Sequence, residues 1–202
     1  MNPMNYFHLL QINDALFPIG AYSHSYGLET YIQKGIIKTA SDAALYLTHK
    51  LSYSFLYTDF LGARLAYDLT QNNDFRKLLE LNSLTTALKT PTEIREASLK
   101  LGSRFLKTIS SLELSTDSSL FNSLIAQKNL QKMHHCCLYG SFCAALEISR
   151  EDMLKHYLYA QASSIVTTCV KSIPLSQTEG QQILSQSFPL LSHLMEQVTS
   201  LD

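Results

Sequence analysis

The sequence predicts an all-α protein, folded as a single-domain bundle of seven to nine helices over residues 1–202. Apolar residues recur at spacings of three and four along most of the chain, which is the pattern of one buried helix face. Alternating strand patterns and Asn-Gly or Asp-Gly hairpin turns are nearly absent, while helix-capping residues open several segments. With 46% apolar residues, the chain is long enough to bury a substantial core.

The first helices follow from turn signals and apolar spacing. The stretch FPIGAYSHSYGLE, residues 17–29, contains two of the seven glycines and predicts a tight turn followed by the start of a helix. A longer helix is expected over residues 42–70, entered near residues 39–42. Its apolar face consists of Leu47, Leu51, Phe55, Leu61 and Leu65. Residues 73–88 and 118–147 hold three shorter helices.

Capping residues predict the later helices. TPTE at residues 90–93 resembles a capping box with proline at the first helical position, and it predicts a helix over 91–111. Ser149 is the expected N-cap of the next helix, and Ser176 opens another with a glutamate three positions later. Pro189 is expected to kink or end that last helix.

Composition and missing motifs exclude several classes of function. The net charge of −1 favours neither nucleic acid nor an anionic membrane, and the chain contains no phosphate-binding glycine loop or HExxH, CxxC or GxSxG motif. No apolar run approaches the ~18 residues of a membrane span. The N-terminus does not resemble a signal peptide, and the four cysteines lack the spacing of a disulfide framework. These features predict a cytoplasmic protein with free thiols.

The stretch MHHCCLYGSFC, residues 133–143, is the strongest candidate for metal chemistry. His134 and Cys137 are three positions apart, so on a helix they share one side, and imidazole and thiolate bind nickel, copper or zinc. The alternative is that the small residues of this stretch allow neighbouring helices to approach closely. His24, between two serines, could likewise be a base or ligand, or could make one ordinary hydrogen bond.

Four blocks of the sequence resemble the UreF family of urease accessory proteins. Residues 17–29 resemble the family signature at one proline, two glycines, two serines, a leucine and a glutamate. TEIREASLKLG at 92–102, HHCCLYGSFCAAL at 134–146 and CVKSIPLSQTEGQQIL at 169–184 resemble three further blocks in the same order. The chain departs from the family at Lys171, where arginine is usual, and it stops at Asp202, without the family's basic-aromatic tail.

The resemblance implies a helical, dimeric scaffold for urease maturation. Such a protein binds a UreG-type GTPase and a UreH/UreD accessory protein, delivers the assembly to apo-urease and regulates GTP hydrolysis. Nickel would be handled by the complex, with no cofactor bound tightly by this chain and no substrate turned over by it. The residues expected at the GTPase and accessory-protein interface are Pro18, Gly20, Tyr22, His24, Tyr26, Glu29, Arg95, Lys171 and Gln177.

Two other functions are compatible with the residues. A helical-bundle enzyme would enclose a deep pocket containing His134, Cys137 and Tyr157. A direct nickel carrier would use His134 and Cys137 as metal ligands.

Overall fold

The computed structural model describes residues 3–20 and 27–201, and within these ranges it is helical with no strands. The helical segments are α1 (Pro3–Ile12), α2 (Leu28–Gln33), α3 (Ala40–His49), a π-helical segment (Lys50–Phe60), α4 (Leu61–Gln71), α5 (Phe75–Leu88), α6 (Thr92–Ser111), α7 (Ser119–Ala126), α8 (His135–Ala145), α9 (Arg150–Ser172), α10 (Gln177–Gln186) and α11 (Phe188–Ser200). Because α3, the π-helical segment and α4 are continuous, the described residues form ten helices, nine of them seven residues or longer. The all-α bundle is confirmed.

Most of the predicted helix starts are confirmed by their hydrogen bonds. Thr39 and Asp42 form a capping box at the start of α3, and Ser176 and Glu179 form another at the start of α10. The Ser149 side chain accepts the backbone N–H three residues later and caps α9. α10 ends before Pro189, which lies in the first turn of the next helix.

The capping box predicted at residues 90–93 is wrong. The helix begins at Thr92, the N-cap is Pro91, and no side chain caps this end. With the N-cap at Pro91, Thr90 lies outside the helix and Glu93 occupies the second helical position. Neither residue is then placed for the reciprocal bonds of a capping box, which join the N-cap residue to the third helical position.

Helix α8 is the centre of the bundle, and all eleven of its residues are buried. It packs between α4 and α6 at two glycines. A Cβ added to Gly140 would lie 2.0 Å from the Ala63 carbonyl oxygen, and one added to Gly102 would lie 2.0 Å from the Met133 carbonyl oxygen. Any larger residue would therefore force these helices apart, so the small side chains set the interhelical distance.

The π-helical segment was not predicted. Residues 42–70 were expected to form an ordinary helix. Of the apolar face predicted there, Leu47, Leu51 and Phe55 are buried, whereas Leu61 and Leu65 are half-buried. The wider π-helical turn also brings Asp59 into the interior, where it is 7% exposed. Segments of this kind often occur at functional sites. Among the described helices, none is both long enough and apolar enough to cross a bilayer.

Candidate functional site

The described part of residues 17–29 combines a buried anchor with an exposed edge. Phe17 and Ile19 are buried, and the Phe17 ring lies 6.0 Å from that of Phe105 on α6. Arg104 on the same helix donates from Nη1 to the Ile19 carbonyl oxygen at 3.3 Å. Pro18, between the two buried residues, is exposed, so the chain presents it to solvent.

Two positive-φ glycines flank the rest of this stretch. Gly20 has φ 76° and Gly27 has φ 91°, a conformation that glycine adopts without the steric cost of a Cβ. Gly27 is the N-cap of α2. Glu29 is exposed in the first turn of that helix, where its negative charge interacts favourably with the positive end of the helix dipole. The expected interface residues Tyr22, His24 and Tyr26 lie outside the described residues.

Arg95 holds the junction between α5 and α6. It is half-buried, and its Nη1 donates to the carbonyl oxygens of Lys89 and Thr90, both at 3.2 Å. Its Nη2 donates to the Thr92 hydroxyl at 3.3 Å. These bonds satisfy carbonyls at the end of α5 and the linker after it, so the arginine has a clear structural role beside the expected interface role.

Lys171 and Gln177 lie on the corner between α9 and α10. Lys171 is in the last turn of α9, where a cation interacts favourably with the helix C-terminus. Gln177 is the first residue of α10, and both side chains are exposed. The extended backbone at Ile173 ends α9 one residue before Pro174. α10 packs against α9 and α3, and α2, which carries Glu29, also contacts α9.

His134 is part of an interior hydrogen-bond network. Its Nε2 shares a hydrogen bond with the Thr86 hydroxyl at 2.9 Å, and its Nδ1 shares one with the Ser98 hydroxyl at 3.0 Å. Its backbone N–H donates to Asn82 at 2.8 Å. Burial and the nearby positive charge of Lys89 lower the pKa of His134 to about 4, so the imidazole is neutral near pH 7. Both ring nitrogens are occupied, which opposes metal binding in this conformation.

Cys137 is also in the interior, on the same helix. Its sulfur lies 3.9 Å from the Thr85 hydroxyl, a weak hydrogen bond. No cluster of three or more His, Cys, Asp or Glu side chains placed to hold a metal ion occurs in ranges 3–20 and 27–201. The close packing at Gly140 and the buried thiols agree with the small-residue interpretation of residues 133–143.

The neighbouring His135 occupies an aromatic environment. Its ring lies 5.2 Å from that of Phe105 and 5.9 Å from those of Tyr139 and Tyr157, and its Nε2 has no hydrogen-bond partner. Burial lowers the pKa of His135 to about 4. The cavity beside Tyr157 and His135 measures about 50 Å³, far below the roughly 300 Å³ at which substrate-sized pockets begin. It does not provide the deep pocket that the enzyme interpretation requires.

The most strongly charged interior feature is an ion pair between the π-helical segment and the end of α5. Lys89 Nζ donates to Asp59 Oδ2 at 2.7 Å, and the Thr58 hydroxyl donates to the same oxygen at 2.7 Å. Burial by itself raises the pKa of Asp59, but the attraction of Lys89 outweighs it and holds that pKa below its usual value. Burial likewise lowers the pKa of Lys89, and Asp59 reverses this and raises it.

Sequence reasoning did not identify this ion pair. The signal that could have indicated it is an aspartate inside the apolar run FLYTDFLGA, because a carboxylate on a buried face requires a cation. Its partner cannot be chosen from the sequence, since Lys89 is 30 residues away and follows a separate helix.

These observations define an all-α bundle in which polar side chains of α6 and of the N-cap of α8 form hydrogen bonds in the interior, while several residues at its turns are exposed. The chain belongs to the UreF family: the model of that family matches residues 37–188 of the 202. It is therefore a urease accessory protein that associates with other urease accessory proteins. The UreF family is a family of accessory proteins and is not known as an enzyme family. Residues 17–29 lie before the matched range, so the match does not depend on them.

Proposed function

We propose that this protein is a scaffold and GTPase regulator in the complex that inserts nickel into apo-urease. It binds a UreG-type GTPase and a UreH/UreD accessory protein, acts as a homodimer and works in the cytoplasm. The observation that carries this proposal is the family match over residues 37–188. The four free cysteines support a reducing location.

The arrangement of side chains supports a scaffold. The reactive-looking groups of residues 133–143 are buried and used in packing or hydrogen bonds, as His134 shows. In contrast, Pro18, Glu29, Lys171 and Gln177 are exposed at turns and helix ends, where a partner can reach them. Nickel is then transferred within the assembled complex, with no tight site on this chain alone.

The surface also carries apolar side chains that are typical of association. Phe7 is 63% exposed on α1, Leu16 is 89% exposed in the turn that follows, and Tyr159 and Phe188 are about half exposed on α9 and α11 with their rings 6.3 Å apart. Exposed apolar clusters of this kind often mark protein-protein contact sites. They support both the heteromeric contacts and the homodimer.

Co-purification with the two partners tests the proposal. The purified chain should capture the GTPase and the UreH/UreD protein and should change the rate of GTP hydrolysis. Glu29→Ala and Lys171→Ala should weaken capture or urease activation, whereas Glu80→Ala, an exposed acidic control on α5, should not. Folding is checked by circular dichroism. Failure of the wild-type chain to bind either partner, or a stoichiometric nickel site that is lost in His134→Ala, would contradict the scaffold proposal.

A further inference from the structure

A groove runs along the surface between α9 and α11. Two adjoining hollows form it, with volumes of about 480 Å³ and 310 Å³, and Met195 of α11 lines both of them. The first hollow lies beside Arg150, where α9 begins and α11 ends, and the second lies beside Tyr159 and Phe188. The two helices therefore run in opposite directions, and along α9 the groove covers about 13 Å, or roughly two and a half helical turns.

The floor of this groove is apolar and has the spacing of helical turns. Leu154 and Leu158 are buried on α9, four positions apart. Leu191 and Met195 are half-buried on α11, also four positions apart. Rows of side chains at this spacing form the ridges and grooves into which another helix packs. The described residues contain no strand, so they offer no sheet edge to an extended peptide, and the groove favours a helix as its occupant.

One of the charged side chains on the rim of the groove has no ion pair. Lys155 Nζ donates to Glu151 at 2.5 Å. Arg150 donates to Asp68 of α4, which does not line the groove, at 3.2 Å. Glu196 is exposed on the α11 side, and it forms no ion pair with any residue that the structure describes, although Arg150 lines the same hollow. A basic side chain from a partner can therefore contact Glu196 without breaking an existing pair.

The exposed helix of a second copy of this chain does not match the groove. α1 exposes the apolar side chains Phe7 and Leu10, but its sequence PMNYFHLLQI contains no lysine or arginine that could pair with Glu196. A symmetric contact through the groove itself would place one hollow opposite another and would supply no ridge to fill it. The occupant is therefore expected to come from a different protein.

We propose that the groove between α9 and α11 receives an amphipathic helix of a partner protein in the urease accessory complex. Three apolar side chains of that helix, at positions i, i+4 and i+7, fit the length of the groove and pack on its leucine floor. Tyr159 and Phe188, whose rings lie 6.3 Å apart, flank one end, and a lysine or arginine of the helix pairs with Glu196 at the other. The inference rests on the proposed function, which supplies the partner.

Substitutions at the two ends of the groove test the proposal. The full chain is titrated with the GTPase and with the UreH/UreD protein separately, and Kd is measured by isothermal calorimetry. Glu196→Lys and Tyr159→Ala should each raise Kd for the same partner about tenfold or more. Glu196→Gln should raise it less, because it removes the ion pair without adding repulsion. Glu80→Lys on α5 and Tyr53→Ala on the π-helical segment, both at exposed residues, should leave Kd unchanged.

The outcomes separate this inference from the proposed function. If Glu196→Lys and Tyr159→Ala bind both partners like the wild type, the groove inference is wrong and the scaffold proposal stands. A loss in Glu196→Lys without a loss in Tyr159→Ala would indicate a surface charge contact in place of a helix in the groove, and it would also overturn the inference. If the wild-type chain binds neither partner, the scaffold proposal is wrong and the inference falls with it. Thermal unfolding of each variant shows whether the bundle is intact.

A second measurement uses the wild-type complex and so does not depend on the folding of a variant. Hydroxyl-radical footprinting with peptide mass spectrometry compares side-chain oxidation in the free chain and in each complex. Oxidation of Tyr159, Phe188 and Met195 should slow at least threefold in one complex, while that of Tyr53 should not change. Unchanged oxidation at the groove in both complexes would overturn the proposal. The same protection in the chain alone at high concentration, together with dimerisation in light scattering, would assign the groove to a second copy and would also overturn it.

Discussion

Removing the cation of the interior ion pair should strongly destabilise the bundle. In Lys89→Met the Asp59 carboxylate remains buried, but its ammonium partner at 2.7 Å is lost. The gross attraction at this distance is roughly 6 kcal/mol for an effective dielectric constant near 20, and much of it offsets the desolvation of both groups. Breaking a buried pair from one side costs about 3–5 kcal/mol, because an uncompensated charge is left inside.

Urea unfolding at pH 7, followed by far-ultraviolet circular dichroism, measures this loss. For a chain of this size it corresponds to a decrease in Tm of roughly 6–20 °C. Arg76→Met is the matched control, since the Arg76–Glu80 pair is also in hydrogen-bond contact, at 3.0 Å, but its side chains are 90% and 60% exposed. That variant should lose less than about 1 kcal/mol. The double variant Lys89→Met/Asp59→Leu should recover most of the stability.

Two results would refute this reasoning. One is a loss in Lys89→Met no larger than the loss in Arg76→Met, which would mean that water reaches Asp59 in the folded state. The other is a double variant as unstable as Lys89→Met alone, which would mean that the ammonium group stabilises the fold through something other than Asp59.

Three further predictions concern α8 with its N-cap residue and the two helices, α4 and α6, that pack against it. In the folded state the pKa of His134 and that of His135 are about 4, below the unfolded value near 6.5, so the unfolded chain binds more protons between these pH values. The free energy of unfolding, measured in urea, should therefore be at its full value above pH 6.5 and should decrease by a few kcal/mol towards pH 4. His135→Phe should change stability at pH 7 by less than about 1 kcal/mol because Nε2 has no partner. His134→Phe should cost about 2–4 kcal/mol because it removes the buried hydrogen bonds to the Thr86 and Ser98 hydroxyls; equal effects would contradict the assigned contacts. Gly102→Ala should cost about 3 kcal/mol or more despite the higher helix propensity of alanine, since its Cβ meets the Met133 carbonyl. Gly62→Ala, whose added Cβ would have a side-chain sulfur at 3.2 Å as its nearest neighbour, should cost less in the same urea unfolding.

Local signals in the sequence predicted the helices well and their ends less well. Ser149 and the Ser176–Glu179 pair are correct because a cap depends on residues within one turn of each other. The box at residues 90–93 was wrong by one position, since Pro91 and Thr92 both fit the first helical position until the structure shows where the helix begins. The π-helical segment has no comparable signature, because the same apolar spacing fits an α-helix.

The candidate site was only partly predictable. Glu29, Lys171 and Gln177 were predicted to lie at an interface, and the structure shows them exposed, but their role in binding stays a prediction. His134 was considered as a metal ligand because of its spacing to Cys137, and only the fold shows that two hydroxyls occupy its ring nitrogens.

By itself the sequence determined that this chain is an all-α member of the UreF family, because hydrophobic spacing and short motifs are properties of neighbouring residues. Tertiary structure alone decided which polar residues are used inside the bundle. The pairs Asp59–Lys89 and Ser98–His134 join residues 30 and 36 positions apart, and only the packing of separate helices brings their side chains within hydrogen-bond distance and removes them from water.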